Sequence, residues 1–122
     1  MPILVVDDDD DILNMTSYVL KQLGYRVATA SDGAKGIDAI RSERIMPCLI
    51  LLDLMMPVMD GAAFRRKLLE IPEAKDVPIV ILSGDDELAA KAAGMRVGGF
   101  EGKPISVARL AELAAKYCSP AG

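Results

Sequence analysis

The sequence predicts an α/β fold, a doubly wound parallel sheet of five strands covered by helices. Short apolar runs alternate with amphipathic helical patterns five times along the 122 residues, as in βαβ units around a parallel sheet. Several of these runs are wholly apolar and rich in Val, Ile and Leu, which is typical of strands buried on both faces. The length suits one domain, residues 1–122, whose core needs no disulfide or structural metal.

The first strand and the first helix are predicted from the opening of the chain. Ile3–Val6 is wholly apolar and comes directly before five aspartates. Residues 9–11 can provide the N-cap and the first-turn carboxylates of a helix, and Gly24 is a natural end for it. The apolar face of this helix is expected to consist of Ile12, Met15, Val19 and Leu23.

Four more strands are predicted at residues 25–30, 48–52, 77–82 and 97–102, the last of them glycine-rich. The segments between and after these strands have helical patterns, so five helices are expected in all. The residues that indicate the remaining four helices are Ile37 with Ile40, Phe64 with Leu68, the segment 86–95, and finally Val107, Leu110, Leu113 and Tyr117.

Composition excludes several classes of function. No apolar run is long enough to cross a membrane, and the N-terminus lacks the basic start and the cleavage site of a signal peptide. A cytoplasmic protein without membrane contact is therefore expected. The net charge of −4 disfavours direct binding to nucleic acid. The chain contains no histidine, which excludes His-dependent triads, His metal sites and a phosphohistidine carried by this chain.

The chain has two cysteines, Cys48 and Cys118. They lie far apart in the sequence and match no metal-binding or redox spacing. Because Cys48 adjoins an apolar run, it is expected to be a small core residue.

Polar residues stand where the predicted strands end. Asp7 and Asp8 follow the first strand, Asp53 the third, Ser83 the fourth and Lys103 the fifth. The carboxyl ends of parallel strands meet at one edge of an open sheet, where ligands bind, so these side chains are expected to gather there. Each residue type alone is common as a helix cap, a turn or a surface charge. The set, with each member at the end of its own strand, predicts a site.

Three carboxylates at one edge indicate a divalent cation. Two carboxylates about 4 Å apart repel each other by roughly 4 kcal/mol at an effective dielectric of 20. Mg²⁺ takes oxygen ligands and needs only a few carboxylates, so it would relieve this repulsion. With a phosphoryl group present, Ser83 could donate a hydrogen bond to one phosphoryl oxygen and Lys103 could neutralise another. An aspartate can then act as the nucleophile and become an aspartyl-phosphate.

With these residues in this order, the sequence resembles the receiver domain of two-component response regulators over essentially its whole length. The matching segments are residues 3–8 (ILVVDD), 51–57 (LLDLMMP), 59–61 (MDG), 83–84 (SG) and 103–104 (KP). The resemblance implies a flavodoxin-like fold, with five helices around a parallel sheet in the strand order 2-1-3-4-5.

The resemblance also implies an acceptor and a metal site. Asp53 corresponds to the phosphate acceptor, and its carboxylate also belongs to the metal site. Asp7 and Asp8 correspond to the acidic pair that holds Mg²⁺, or Mn²⁺ as an alternative, with Asp8 as a direct ligand and Asp7 acting partly through water. Met55 corresponds to the position whose backbone carbonyl completes the metal site.

Further positions correspond to the switch of the family. Ser83 matches the Ser/Thr switch residue, and Phe100 matches the aromatic one. Lys103 matches the lysine that contacts the phosphate, and its peptide bond to Pro104 is cis in the family. Ser83 and Lys103 are 20 positions apart, somewhat fewer than the family pattern implies, and Arg96 stands where a glycine is usual.

The resemblance implies a signalling domain and not an enzyme, apart from slow self-dephosphorylation. A partner histidine kinase or histidine phosphotransfer protein would supply the phosphoryl group. Phosphorylation would then change the surface formed by the helix at 86–95, the fifth strand and the last helix, which a downstream protein target reads. The protein would be a monomer or a phosphorylation-dependent dimer.

Three alternatives stay open. The domain could be a protein-binding module that works without phosphorylation, although such modules usually lose the acidic pair, the acceptor or the lysine. It could be the receiver portion of a larger regulator or hybrid histidine kinase, although Met1 directly before the first strand is expected of a free-standing regulator. A phosphohydrolase is disfavoured, because the residue two past the nucleophile, Met55, cannot act as an acid or base.

Overall fold

A computed structural model of the chain describes residues 1–42, 45–53, 61–74, 76–83, 99–102 and 106–118. For residues 53, 61, 62, 83 and 99–102 it describes the backbone alone.

Five parallel strands form one sheet in the order β2-β1-β3-β4-β5, which confirms the predicted fold class and strand order. The three central strands are buried on both faces where their side chains are described, as their apolar sequences predict. The strands are Ile3–Val6 (β1), Val27–Ala30 (β2), Leu49–Asp53 (β3), Ile79–Ser83 (β4) and Gly99–Gly102 (β5).

The described part of the chain contains four helices, and none of them is long and apolar enough to span a bilayer. The helix predicted over 86–95 lies outside the described residues. The four helices are Asp10–Gln22 (α1), Gly33–Arg41 (α2), Gly61–Leu69 (α3) and Val107–Tyr117 (α4).

The sheet separates two apolar clusters, because successive side chains of a strand point to opposite faces. The cluster under α2 and α3 contains Leu4, Val6, Ile37, Ile40, Ile50, Leu52, Phe64, Leu68, Ile79 and Ile81. The cluster under α1 and α4 contains Ile3, Val5, Leu13, Leu20, Leu49, Leu51, Val80, Leu82, Leu110, Leu113 and Ala114. The predicted positions of the second and third helices are thereby confirmed as core. In the last helix Leu110 and Leu113 are buried and Tyr117 is partly buried, whereas Val107 is 57% exposed and does not belong to the core.

The buried face of α1 differs from the predicted one. The residues that pack inward are Leu13, Thr16, Ser17 and Leu20. Met15 is 58% exposed and Leu23 37% exposed, so their assignment to the core was wrong. The inward residues keep the spacing i, i+3, i+4, i+7 of a buried helical face. Two of them are hydroxyl residues, which a search for apolar side chains passes over.

The end of α1 explains why β2 begins later than predicted. Gly24 has a φ of 97°, a left-handed conformation that suits glycine. Its N–H donates to the carbonyl of Lys21 at 3.0 Å, and the N–H of Tyr25 donates to the carbonyl of Leu20 at 3.1 Å. This pattern closes the helix. Because the Tyr25 amide is used there, the strand starts at Val27.

Helix α2 lies close to the sheet and to α3 at Gly36. A Cβ atom at this position would lie 2.9 Å from Cε2 of Phe64 and 3.2 Å from Cγ2 of Val6. Both neighbours are fully buried, so neither has solvent to move into. Glycine, which has no Cβ atom, is therefore the residue that fits best at this position.

The two cysteines are joined. Cys48 and Cys118 form a disulfide with 5.5 Å between their Cα atoms, although they are 70 positions apart in the sequence. Both are partly buried at the margin of the cluster under α1 and α4, so the expectation of a simple core residue at Cys48 was wrong. The reason is topological: residue 48 precedes β3, and α4 runs back to the same edge of the sheet, where residue 118 is its C-cap.

Candidate functional site

The strand register brings the predicted site residues to one edge of the sheet. Val6 in β1 pairs with Leu52 in β3, so Asp7 and Asp53 follow one position later on neighbouring strands. Asp53 in turn pairs with Leu82 in β4, directly before Ser83. Neighbouring strands lie about 4.8 Å apart, so the backbones of these three polar residues are close together at the carboxyl edge.

The fifth strand reaches the same edge. Ser83 pairs with Gly102, the last residue of β5, and Lys103 is the next residue along the chain. Phe100 lies within β5, where its backbone pairs with Ile81. Lys103 itself lies outside the described residues, as do Met55 and Pro104, so the phosphate contact, the metal-binding carbonyl and the cis peptide stay predictions.

Asp7 is held in place by its backbone and its side chain. Its N–H donates to the carbonyl of Ala30 at 3.2 Å, which continues the pairing of β1 with β2 by one residue. Its carboxylate oxygen Oδ1 accepts a hydrogen bond from the N–H of Asp9 at 2.9 Å. The residue is only 1% exposed. Burying a carboxylate is costly unless hydrogen bonds or cations compensate for it, and the Asp9 amide provides part of that compensation.

The five consecutive aspartates have different local positions. Asp9 is the N-cap of α1, and its carboxylate accepts from the N–H groups of Asp11 at 3.0 Å and Ile12 at 3.2 Å. Asp10 and Asp11 form the first turn of the helix, where negative charge is favourable. Asp8 lies between the buried Asp7 and this cap, with an exposed side chain. The cap and first turn thus use the last three acids, which leaves Asp7 and Asp8 as the pair nearest the strand end.

The donor set suits a hard cation. Asp7 and Asp8 offer carboxylate oxygens, the ligands that Mg²⁺ prefers. Their side chains lie in the described part of the chain, where no group of three Cys, Asp or Glu residues forms a cation site. The third predicted carboxylate belongs to Asp53, whose backbone alone is described.

Sequence reasoning missed one feature of the site, the hydrogen bond from the Asp9 amide to Asp7. An aspartate two residues before a helix cap often accepts from the backbone in this way. The signal was present in the spacing, but five consecutive aspartates offer several such pairs.

The fold and this edge define a known class of protein. The model of the family described as "Response regulator receiver domain" matches residues 3–115. The chain therefore belongs to the receiver domain family of two-component response regulators, as its sequence motifs predict. Domains of this family act in signalling, interact with histidine kinases and generally bind Mg²⁺.

Two relatives show how much of a longer regulator the chain covers. The chain is 37% identical over 106 residues to the alkaline phosphatase synthesis transcriptional regulatory protein PhoP of Bacillus subtilis (strain 168), which covers 85% of the chain and 42% of PhoP. It is 37% identical over 112 residues to the response regulator MprA of Mycobacterium avium (strain 104), which covers 90% of the chain and 47% of MprA. The chain spans less than half the length of these relatives.

Solved structures match over nearly the full length. The chemotaxis protein CheY4 of Vibrio cholerae superimposes with a TM-score of 0.85 at 27% identity, and the match covers 95% of this chain and 97% of CheY4. The receiver domain of NtrX from Brucella abortus superimposes with a TM-score of 0.80 at 30% identity, covering 94% of this chain and 96% of that domain.

Proposed function

We propose that Asp53 accepts a phosphoryl group from a partner histidine kinase or histidine phosphotransfer protein, in a reaction that needs Mg²⁺. The observation that carries this proposal is the register of β1 and β3, which sets Asp7 and Asp53 side by side at the carboxyl edge. Asp7 is the described acid of this pair, and it is buried and hydrogen-bonded where a ligand of a metal next to Asp53 would be needed.

The proposed reaction is an in-line transfer. A carboxylate oxygen of Asp53 attacks the phosphorus atom of the donor's phosphohistidine, the phosphorus–nitrogen bond breaks, and the donor's imidazole leaves. Asp7, Asp8, Asp53 and the carbonyl of Met55 would hold Mg²⁺ (or Mn²⁺), which would supply charge neutralisation for the phosphoryl oxygens. Later attack by water on the aspartyl-phosphate returns the carboxylate and releases inorganic phosphate, slowly and without a dedicated acid or base.

Two more residues would respond to the phosphoryl group. Ser83 lies one position beyond the Asp53–Leu82 pair, so its hydroxyl is proposed to donate to a phosphoryl oxygen. Lys103 follows the end of β5 and is proposed to neutralise a second oxygen. Phe100 is proposed to move with Ser83, so that a downstream protein reads the change around β5 and α4.

The partner that donates the phosphoryl group needs a surface next to the carboxyl edge. Helices α1 and α4 both start at this edge. The large apolar side chains of Met15 and Tyr18 are 58% and 64% exposed on α1, and Val107 is 57% exposed at the start of α4. Met15 and Tyr18 are three positions apart on the same helix, so they are neighbours on its exposed surface. Exposed apolar side chains that form a patch commonly mark contact surfaces, so we propose that the donor packs here.

The setting of the domain is also a proposal. We propose a cytoplasmic protein in which residues 1–122 are one receiver domain, monomeric or dimerising on phosphorylation. The net charge of −4 argues against direct contact of this domain with nucleic acid. Relatives named as transcriptional regulatory proteins are more than twice as long as the part that matches this chain. A receiver portion of a longer regulator is therefore the second possibility for this protein.

The test uses the intact protein and a small phosphodonor. We expect incubation with Mg²⁺ and acetyl phosphate to add one phosphoryl group by intact mass, and expect Asp53→Asn to abolish the gain. Asp38→Asn is the matched control, because Asp38 is an exposed acid of α2, and it should be phosphorylated like the wild type. Folded wild-type protein that gains no mass with Mg²⁺ present would contradict the proposal and favour a module that works without phosphorylation.

A further inference from the structure

The disulfide of Cys48 and Cys118 joins two elements at the edge of the sheet opposite to Asp53. Cys48 directly precedes β3, and Asp53 ends that strand five residues later, about 16 Å away at ~3.3 Å per residue. Cys118 is the C-cap of α4, and its N–H donates to the carbonyl of Ala114 at 2.8 Å. The bond therefore ties the end of the last described helix to the start of a central strand.

The two cysteines are partly exposed as residues, and no other cysteine competes with them. Both cysteines are partly exposed, so a small thiol or disulfide in solution can reach them. The chain has two cysteines in all, so within one molecule this is the single disulfide that can form. Accessible disulfides are the ones that small thiols exchange with readily.

The reduced state also fits the structure. Sγ of Cys48 lies 3.4 Å from the carbonyl oxygen of Met1 and 3.5 Å from that of Pro2. A sulfur in a disulfide has no proton, whereas a Cys48 thiol could donate a weak hydrogen bond to either oxygen. The thiol would therefore have a partner without any rearrangement of the strand.

Helix α4 has contacts that do not involve the bond. Helix α4 buries Leu110, Leu113 and Ala114 against the sheet. Its start is capped by Ser106, whose hydroxyl accepts from the N–H of Arg109 at 3.1 Å. None of these contacts involves a sulfur atom, so we expect them to keep the helix in place up to its last turn when the bond is reduced. Small domains that need a disulfide to fold usually lack such a core.

We propose that Cys48 and Cys118 form a reversible thiol–disulfide site that fastens or releases the end of α4. The co-substrate is a low-molecular-weight disulfide of the glutathione type. One protein thiolate attacks it, forms a mixed disulfide and releases one thiol. The second protein thiolate then attacks the protein sulfur of that mixed disulfide and releases the second thiol. Two protein thiols are oxidised, and one small disulfide is reduced to two thiols.

The oxidised form should be measurably more stable than the reduced form. The bond closes a long loop, since its cysteines are 70 positions apart, and a cross-link of that span restricts the unfolded chain strongly. We expect a melting temperature about 10 °C higher for the oxidised protein. We also expect faster hydrogen exchange in the reduced form at the last turn of α4, with β1 and β3 unchanged.

The experiment equilibrates the full chain in oxidised and reduced glutathione and then alkylates it. After treatment with oxidised glutathione, the intact mass should show no alkylated cysteine. After treatment with reduced glutathione, it should show two. The protein should be a monomer in both cases. The variants Cys48→Ser and Cys118→Ser cannot close the bond, so at least one of them should retain a single glutathione. Both variants should have a melting temperature near that of the reduced wild type. Because neither can close the loop, the ratio of oxidised to reduced glutathione should not raise that temperature as it does in the wild type.

Four results would overturn the proposal. The first is two free thiols in the wild type after treatment with oxidised glutathione, and the second is a disulfide that excess reduced glutathione leaves intact in the folded protein. The third is unfolding of the reduced protein. The fourth is an equal rate of hydrogen exchange at the end of α4 in the oxidised and reduced forms. None of these measurements involves phosphorylation. The proposal for Asp53 can therefore fail while the proposal for the disulfide holds, and the proposal for the disulfide can fail while the one for Asp53 holds.

Discussion

The N–H of Asp9 donates a hydrogen bond of 2.9 Å to Oδ1 of Asp7, and Asp9 in turn caps helix α1 through its own carboxylate. The last turn of chain before the helix therefore holds the Asp7 side chain in one position. A carboxylate that is 1% exposed and fixed in this way needs little reorganisation to receive a cation, and preorganised charge is effective in transfer reactions.

Asp7→Asn should weaken Mg²⁺ binding. Asparagine keeps an oxygen that can accept from the Asp9 amide, but it lacks the charge. We expect Mg²⁺ affinity to fall roughly 10–100-fold, and phosphorylation by acetyl phosphate at limiting Mg²⁺ to slow in proportion. The affinity is measured by calorimetry, because the chain has no tryptophan to report binding.

The matched control for this change is Asp10→Asn, which removes the same charge from an exposed residue in the first turn of α1. It should leave Mg²⁺ affinity within about twofold of the wild type, a difference of ~0.4 kcal/mol. Equal losses in Asp7→Asn and Asp10→Asn would mean that general charge, not a ligand at residue 7, attracts the cation.

Asp9→Ala should destabilise the fold through the start of α1. The Asp9 carboxylate accepts from the amides of Asp11 and Ile12, and loss of such a cap costs about 1 kcal/mol. Asp9→Asn keeps a capping oxygen, so its cost should be a few tenths of a kcal/mol, mainly from the lost charge. Urea unfolding separates the two variants, and equal costs would show that the cap contributes nothing beyond charge.

Gly36→Ala should destabilise the protein although alanine is the better helix former. Overpacking against Phe64 costs about 1–3 kcal/mol, against a gain of about 1 kcal/mol in helix propensity. Phe64→Leu alone should cost about 1–2 kcal/mol by leaving space. Together the two changes should cost less than their sum by about 1 kcal/mol, because the new methyl group occupies that space. Additive costs in urea unfolding would contradict the contact at 2.9 Å.

Tyr18→Ala tests the proposed docking surface. Tyr18 is 64% exposed, so its loss should change the free energy of unfolding by less than about 0.5 kcal/mol. Phosphorylation by acetyl phosphate should be unchanged. Transfer from a histidine kinase that phosphorylates the wild type should fall about tenfold, as for loss of an aromatic contact residue worth ~1.4 kcal/mol.

Leu69→Ala is the control for that experiment, because Leu69 is 46% exposed at the far end of α3. It should leave transfer from the kinase unchanged. A kinase that phosphorylates Tyr18→Ala as fast as the wild type would place the docking surface elsewhere.

The sheet was predictable from sequence because its signals are local. The wholly apolar run Ile3–Val6 predicts a buried strand, and the structure has a strand with those bounds. The edge position of Asp53 then follows from the same logic, because a polar residue directly after a buried apolar run marks the strand end.

Other features depend on tertiary contacts, so sequence patterns do not show them. The inward rotation of α1 is set by packing on the sheet, and it buries the hydroxyl residues Thr16 and Ser17 in place of Met15. The pairing of Cys48 with Cys118 depends on where two elements end after they pack. Neither outcome is encoded in residue spacing alone.

The division of the core by the sheet has a consequence for how such proteins diversify. Val5 and Val6 are adjacent in the chain, but they belong to clusters on opposite faces. Substitutions distant from one another and without shared partners have nearly additive effects on stability. A lineage can therefore alter α1 and α4, and with them the proposed docking surface, without compensating changes beneath α2 and α3. Duplicated copies of one receiver can in this way acquire separate partners while half of their interior stays the same.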